Sequence, residues 1–167
     1  CFFQGSSQYL KDIKKQVKIP VLRKDFIIDP LQVYETQAMH ADVMLVILDI
    51  LSTNQANEIL ELASSLGLEV LLEIHSQEAL NRLPDIKNYQ LVGINNRNLH
   101  TFHIDMNHVT RMSTMIHKIS PLLKIVAESG YTNIEQLEAL KAHKLDAVLI
   151  GEGLSKYKNL VQWFNEN

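Results

Sequence analysis

A chain of 167 residues, 46% hydrophobic and 21% charged, has an ordinary globular composition and is long enough for a sizeable core. Its 16 Lys and Arg against 19 Asp and Glu give a net charge of −3 with no basic stripe, which argues against nucleic acid as a partner. Cys1 as the one cysteine excludes a disulfide framework and suits a reducing cytoplasm; the longest apolar run, 43–48, is far short of the ~20 residues of a membrane helix, and no charged-then-apolar leader opens the chain.

Taken in chain order, residues 7–17 carry Leu10, Ile13 and Val17 at helical spacing, and 19–24 is the first run that reads as a strand. Asp29 as N-cap and Pro30 at the first helical position open a helix over 30–39. A strand at 43–48 is followed by a helix over 52–66, which starts at the cap candidate Ser52 and stops before Gly67. Then come a strand at 69–74, a helix over 76–83 with Glu78 in its first turn, and a strand at 91–95. A helix over 106–116 follows Asp105, and a strand spans 123–128. Thr132 and Glu135 form a capping box for a helix over 132–143; a strand at 147–151 and a single closing helix over 154–164 end the series. The runs are rich in Val, Ile and Leu without strict alternation, as expected of parallel strands covered on both faces. Regular alternation with no linker predicts one domain over 1–167 built of βαβ units. Either an open doubly wound sheet or a (β/α)8 barrel fits.

In a barrel, alternate side chains point inward and active sites gather at the carboxyl ends of the strands. Parity puts Lys24, Glu73, Asn95 and Glu128 at the ends of four strands, each on a plausible interior side, whereas Leu45 and Gly151 serve the other two. One charged residue at a strand end is ordinarily a solvated rim residue. Four on corresponding faces form the donor and acceptor set that acid–base chemistry needs. Glycines follow the last two strands, in Glu128-Ser129-Gly130 and Gly151-Glu152-Gly153, where backbone N–H groups can approach an anion. Barrels bind phosphate with the loops after strands seven and eight. On that count the six strands are the third to the eighth, and the expectation is an α/β fold of the incomplete (β/α)8 TIM-barrel kind, with six parallel strands present and strands one and two missing.

These residues carry a family resemblance. The segment Ile19-Pro20-Val21-Leu22-Arg23-Lys24-Asp25-Phe26-Ile27-Ile28-Asp29 resembles the third-strand motif of indole-3-glycerol-phosphate synthase, and Gly93-Ile94-Asn95-Asn96-Arg97-Asn98-Leu99 resembles its sixth. Val126-Ala127-Glu128-Ser129-Gly130 and Leu149-Ile150-Gly151-Glu152 are similar to its seventh and eighth, and Phe2-Phe3-Gln4-Gly5-Ser6 to the segment before its second barrel helix. The resemblance implies ring closure, decarboxylation and dehydration of 1-(2-carboxyphenylamino)-1-deoxyribulose 5-phosphate in tryptophan biosynthesis, in the cytoplasm and without metal or organic cofactor. It implies that Lys24 is a general acid, that Glu73 transfers a proton in the dehydration half, and that Asn95 orients substrate with Arg97 beside it. Phe26 and Leu45 match apolar walls for the anthranilate ring, Glu128 and Ser129 the seventh-strand end, and Gly130, Gly151 and Glu152 a phosphate cradle.

The departures carry consequences. The family's first-strand Glu and Lys and its Ser-Pro-Ser loop have no counterpart here, so little or no turnover is expected of this chain alone. Gly153 stands where the family commonly has Ser, and His40 where a glycine usually caps the helix. Unpaired sheet edges predict self-association into a homo-oligomer. The rival readings are another phosphate-binding barrel enzyme, and a non-catalytic fragment or half of a split enzyme. His100, His103 and His108 cluster loosely without the carboxylate or cysteine spacing of a metal site.

Overall fold

The computed structural model describes residues 5–98 and 101–166; the opening Phe2, Phe3 and Gln4, together with Leu99 and His100, lie outside the described residues. The chain divides into two compact units, residues 1–73 with 82–90, and residues 74–81 with 91–167.

The first unit opens with α1 (Ser7–Gln16), whose N-terminus is capped by the Ser6 hydroxyl accepting the Gln8 N–H at 3.2 Å. It continues through β1 (Leu22–Arg23), α2 (Pro30–Ala38), β2 (Val43–Ile47), a 3-10 turn at Leu48–Ile50, α3 (Thr53–Ser65) and β3 (Glu69–Ile74). β1 pairs with β2 and β2 with β3, both parallel. The strand expected over 19–24 is cut to two residues for a local reason. Pro20 has no N–H to give, and the Val21 N–H is taken by the Asp42 carboxylate at 2.7 Å rather than by a ladder. Capping boxes Asp29/Gln32 and Ser52/Gln55 start α2 and α3. The helices end as expected, with His40 at φ 60 and Gly67 at φ 72. Met44, Val46, Leu60 and Leu72 are fully buried, each contributing about 1.5–3 kcal/mol by leaving water.

α4 (Gln77–Arg82) stops one residue short of its expected end, where Pro84 forces a 3-10 turn at Leu83–Asp85. The second unit then runs through β4 (Leu91–Asn95), α5 (His108–Ile119), β5 (Lys124–Glu128), α6 (Ile134–Leu140), β6 (Ala147–Leu149), α7 (Glu152–Lys156) and α8 (Lys158–Glu166). β4, β5 and β6 pair in that order, all parallel, around buried Val92, Ile94, Ile116, Ile125 and Ala127.

Several expectations change here: α6 is shorter than the expected 132–143, and β5 starts at Lys124 rather than 123. α5 starts at His108 rather than 106 and reaches Ile119 rather than 116. The capping box of α6 is Asn133/Gln136, not Thr132/Glu135: Asn133 Oδ1 accepts the Gln136 N–H at 2.9 Å, and Gln136 Oε1 also takes the Thr132 N–H at 2.8 Å. β6 ends at Leu149 instead of 151. The closing helix is two helices, because Tyr157 is extended at φ −116, ψ 98. No helix among the described residues is long and apolar enough to cross a membrane.

Candidate active site

In the first unit, Leu22 registers with Val43, Leu45 with Leu71, and Ile47 with Glu73. Parallel partners point to the same side of a sheet, so Leu22, Leu45 and Glu73 share a face, and Lys24 follows just beyond β1. Glu73 is 1% exposed and its Oε2 lies 3.4 Å from the Lys24 ammonium, whose side chain is 47% exposed. A buried carboxylate against a cation that still reaches solvent is a proton donor and acceptor in one pair. Leu45 is buried on the same face and Phe26 is more than a third exposed. A cavity of about 550 Å³ beside β1 is lined by Lys24 and Phe26 together with Tyr9, Leu10 and Ile13 of α1.

Arg23, to which sequence reasoning assigned no role, keeps this strand end in place. Its guanidinium donates to Thr36 Oγ1 and the Gln32 carbonyl at 2.9 Å each, and to the carboxylates of Asp25 at 3.1 Å and Glu35 at 3.2 Å. The strand end is thereby tied to α2, and Lys24 and Phe26 are carried between two fixed points. A buried arginine of opposite parity to Lys24 was the available signal.

In the second unit, Asn95 registers with Glu128 and Glu128 with Leu149, so Asn95 and Glu128 also share a face, both buried. Asn95 Oδ1 accepts the Arg97 N–H at 2.9 Å, which turns the chain back over the strand end. His75, also missed in the sequence, donates from Nδ1 to the Asn95 carbonyl at 2.8 Å, and its ring lies 4.8 Å from that of His108. Because a carbonyl only accepts, His75 must carry its proton on Nδ1. Burial, followed by the neighbouring His75, pushes the pKa of His108 below the usual imidazole range. Its Nε2 is buried with no hydrogen-bond partner among the described residues. The planes of the two rings are tilted by 33°.

The two expected glycine turns differ. Ser129 and Gly130 are both left-handed, at φ 66 and 90, and a Cβ on Gly130 would sit 2.7 Å from Ile104 Cγ2 and 2.8 Å from Met106 Sδ. A non-glycine residue in that conformation costs of order 1–3 kcal/mol, so the position of Ser129 is enforced by its surroundings. Gly151, the N-cap of α7, has open space around it and an ordinary φ of −102. The Glu152 carboxylate pairs with Lys156 at 2.7 Å and Arg97 at 3.6 Å, and Lys156 above all holds its pKa below the usual carboxylate range.

A family model described as indole-3-glycerol phosphate synthase matches residues 1–166. Among curated relatives of that name, the chain is 40% identical to one from Lachnospira eligens, over 98% of this chain and 63% of the relative. It is 42% identical to one from Endomicrobium trichonymphae, over 99% of this chain and 62% of the relative. It is 41% identical to one from Shouchella clausii, over 99% of this chain and 66% of the relative. The chain thus spans a little under two thirds of the length of these relatives. Among solved structures, a mutant tryptophan synthase alpha-subunit from Pyrococcus furiosus superposes with a TM-score of 0.68 at 16% identity, covering 96% of this chain and 69% of that one. At that identity the likeness concerns the fold alone.

Proposed function

Since the chain belongs to the indole-3-glycerol phosphate synthase family, we propose that it carries the acid–base and substrate-orienting residues for ring closure, decarboxylation and dehydration of 1-(2-carboxyphenylamino)-1-deoxyribulose 5-phosphate, a step of tryptophan biosynthesis. The six strands are read as strands three to eight of a (β/α)8 barrel, within one domain and in the cytoplasm. Lys24 gives a proton to the substrate's carbonyl or hydroxyl oxygen, which leaves as water, and Glu73 transfers a proton in the dehydration half. Asn95 and Arg97 orient the substrate, and Phe26 and Leu45 face its aromatic ring. Glu128 and Ser129 meet its polyol, and Gly130, Gly151 and Glu152 seat the phosphate. For Glu152 the useful group is the backbone N–H, because its carboxylate is already engaged with two cations and would repel a phosphate.

The observation that carries the reading is the Lys24–Glu73 pair, a buried carboxylate 3.4 Å from a half-exposed ammonium. No cofactor is invoked. The experiment is calorimetric titration of the protein with the substrate analogue whose carbonyl has been reduced to an alcohol. Saturable binding that falls at least tenfold in Lys24→Met supports the reading; equal binding by the two proteins overturns it. The outer edges of β1 and β6 have no strand partner among the described residues, and self-association through them is the corresponding expectation. A monomer by light scattering at micromolar concentration would count against that part.

A further inference from the structure

We propose that Asn96 is a positioning residue that holds the left-handed Ser129–Gly130 turn in the conformation in which it meets substrate, with the Tyr131 hydroxyl as its second anchor. The inference rests on the reading of Ser129 as a substrate-side residue and extends it to a side chain that touches no substrate.

Asn96 is 1% exposed and fully committed. Its backbone N–H donates to the Glu128 carbonyl at 3.0 Å, and its carbonyl accepts the Asp105 N–H at 3.0 Å. Its side-chain nitrogen donates to the Ser129 carbonyl at 3.2 Å and to the Tyr131 hydroxyl at 3.0 Å. Its side-chain oxygen accepts the Val109 N–H at 3.1 Å. That last N–H is one of the orphan donors in the first turn of α5, and the local cap residue Asn107 makes no side-chain cap bond. One amide therefore caps a helix with its oxygen and grips a strained turn with its nitrogen. An amide can do both because it is donor and acceptor at opposite ends; neither a carboxylate nor a hydroxyl offers two donors and an acceptor in that arrangement. Tyr131 is 2% exposed, so its hydroxyl is a fixed post. Ser129 at φ 66 does not choose that conformation unaided, and Gly130 is walled in by Ile104 and Met106.

Asn96→Asp separates the two duties. The replacement keeps an oxygen for the Val109 N–H, where a negative charge suits a helix N-terminus, but it turns an acceptor toward the Ser129 carbonyl. The full chain and this variant are compared by the amide ¹H–¹⁵N shifts of Val109, Ser129 and Gly130, and by calorimetric binding of the carbonyl-reduced substrate analogue. The expected result is displaced Ser129 and Gly130 signals, a nearly unmoved Val109 signal, and analogue affinity at least tenfold lower. Tyr131→Phe removes one acceptor only, and it is expected to move the same two signals less and to cost about two- to fivefold in affinity. Should Asn96→Asp fail to fold, Tyr131→Phe decides alone. Unmoved Ser129 and Gly130 signals overturn the proposal, as does unchanged affinity despite moved signals. If the unmodified chain does not bind the analogue, the functional reading fails instead, and the shifts still decide whether Asn96 holds the turn.

Discussion

In the first unit the strand end is held by charge. Arg23 ties it to α2 through two carboxylates, a hydroxyl and a carbonyl, and Lys24 reaches the buried Glu73. In the second unit amides and backbone geometry do much of the corresponding work beside the Arg97–Glu152 pair: Asn95 and Asn96, the tilted ring pair of His75 and His108, and two consecutive left-handed residues. Both units nevertheless share one joint. Asp42 before β2 and Asp146 before β6 each accept a backbone N–H, from Val21 just before β1 at 2.7 Å and from Ile125 in β5 at 2.9 Å, and each pairs with a lysine, Lys14 and Lys124. The repeating part of the fold is thus the joint that starts a strand, and the variable part is what finishes it.

The largest effect is expected of Gly130→Ala. A side chain there is strained by φ 90 and collides with Ile104 and Met106, so a loss of about 3 kcal/mol is expected in urea denaturation. Gly151→Ala is its control, with open space around it, and should stay within about 0.5 kcal/mol. Equal losses at the two positions would refute the distinction between the turns.

Asp42→Asn and Asp146→Asn come next. Each weakens a charge-assisted bond to a backbone N–H, and after discounting for solvent screening at these part-exposed carboxylates about 1 kcal/mol is expected for each. Clearly unequal values would mean the joints are not equivalent. Lys14 and Lys124 chiefly hold the two carboxyls below the usual range. A lowered carboxyl pKa contributes stability that is present above about 3.8 and is lost as pH falls below it. Acid unfolding should therefore loosen both joints together.

The smallest effect belongs to His108. Burial holds its pKa below 6.5, so the unfolded chain takes up a proton more readily than the folded one. Stability is expected to decline as pH drops from 6.5, and His108→Gln should flatten that part of a melting-temperature profile. A slope left unchanged by the substitution would locate the effect elsewhere.

The order and kind of the strands could be read from the sequence because parallel strands buried on both faces leave continuous Val, Ile and Leu runs, and because Asp29, Ser52 and Gly67 punctuate the helices. Lys24 and Glu73 were legible because side-chain parity is a short-range rule. The ends of the elements were less so. β1 shrank because a side chain twenty-one residues away, Asp42, occupies the Val21 N–H, and the closing helix broke at Tyr157, which no proline or glycine announces. His75, Asn96 and Tyr131 were missed for a common reason: their roles depend on partners distant in sequence, and nothing about a lone His, Asn or Tyr gives the partner's identity. Asn96 lies inside the motif that carries the family resemblance, but strand parity singles out its neighbour Asn95.

Gly153 limits how this chain can exchange parts with its relatives. A Cβ at that position would lie 2.3 Å from the Tyr131 carbonyl oxygen and 2.8 Å from Ile150 Cγ2, so a serine cannot enter this backbone as a point change. The start of α7 and the chain around Tyr131 are fitted to each other and would have to be transplanted together. A chimera that sets a serine-bearing α7 against this chain's Tyr131 segment would meet that clash, whereas the reverse exchange would not.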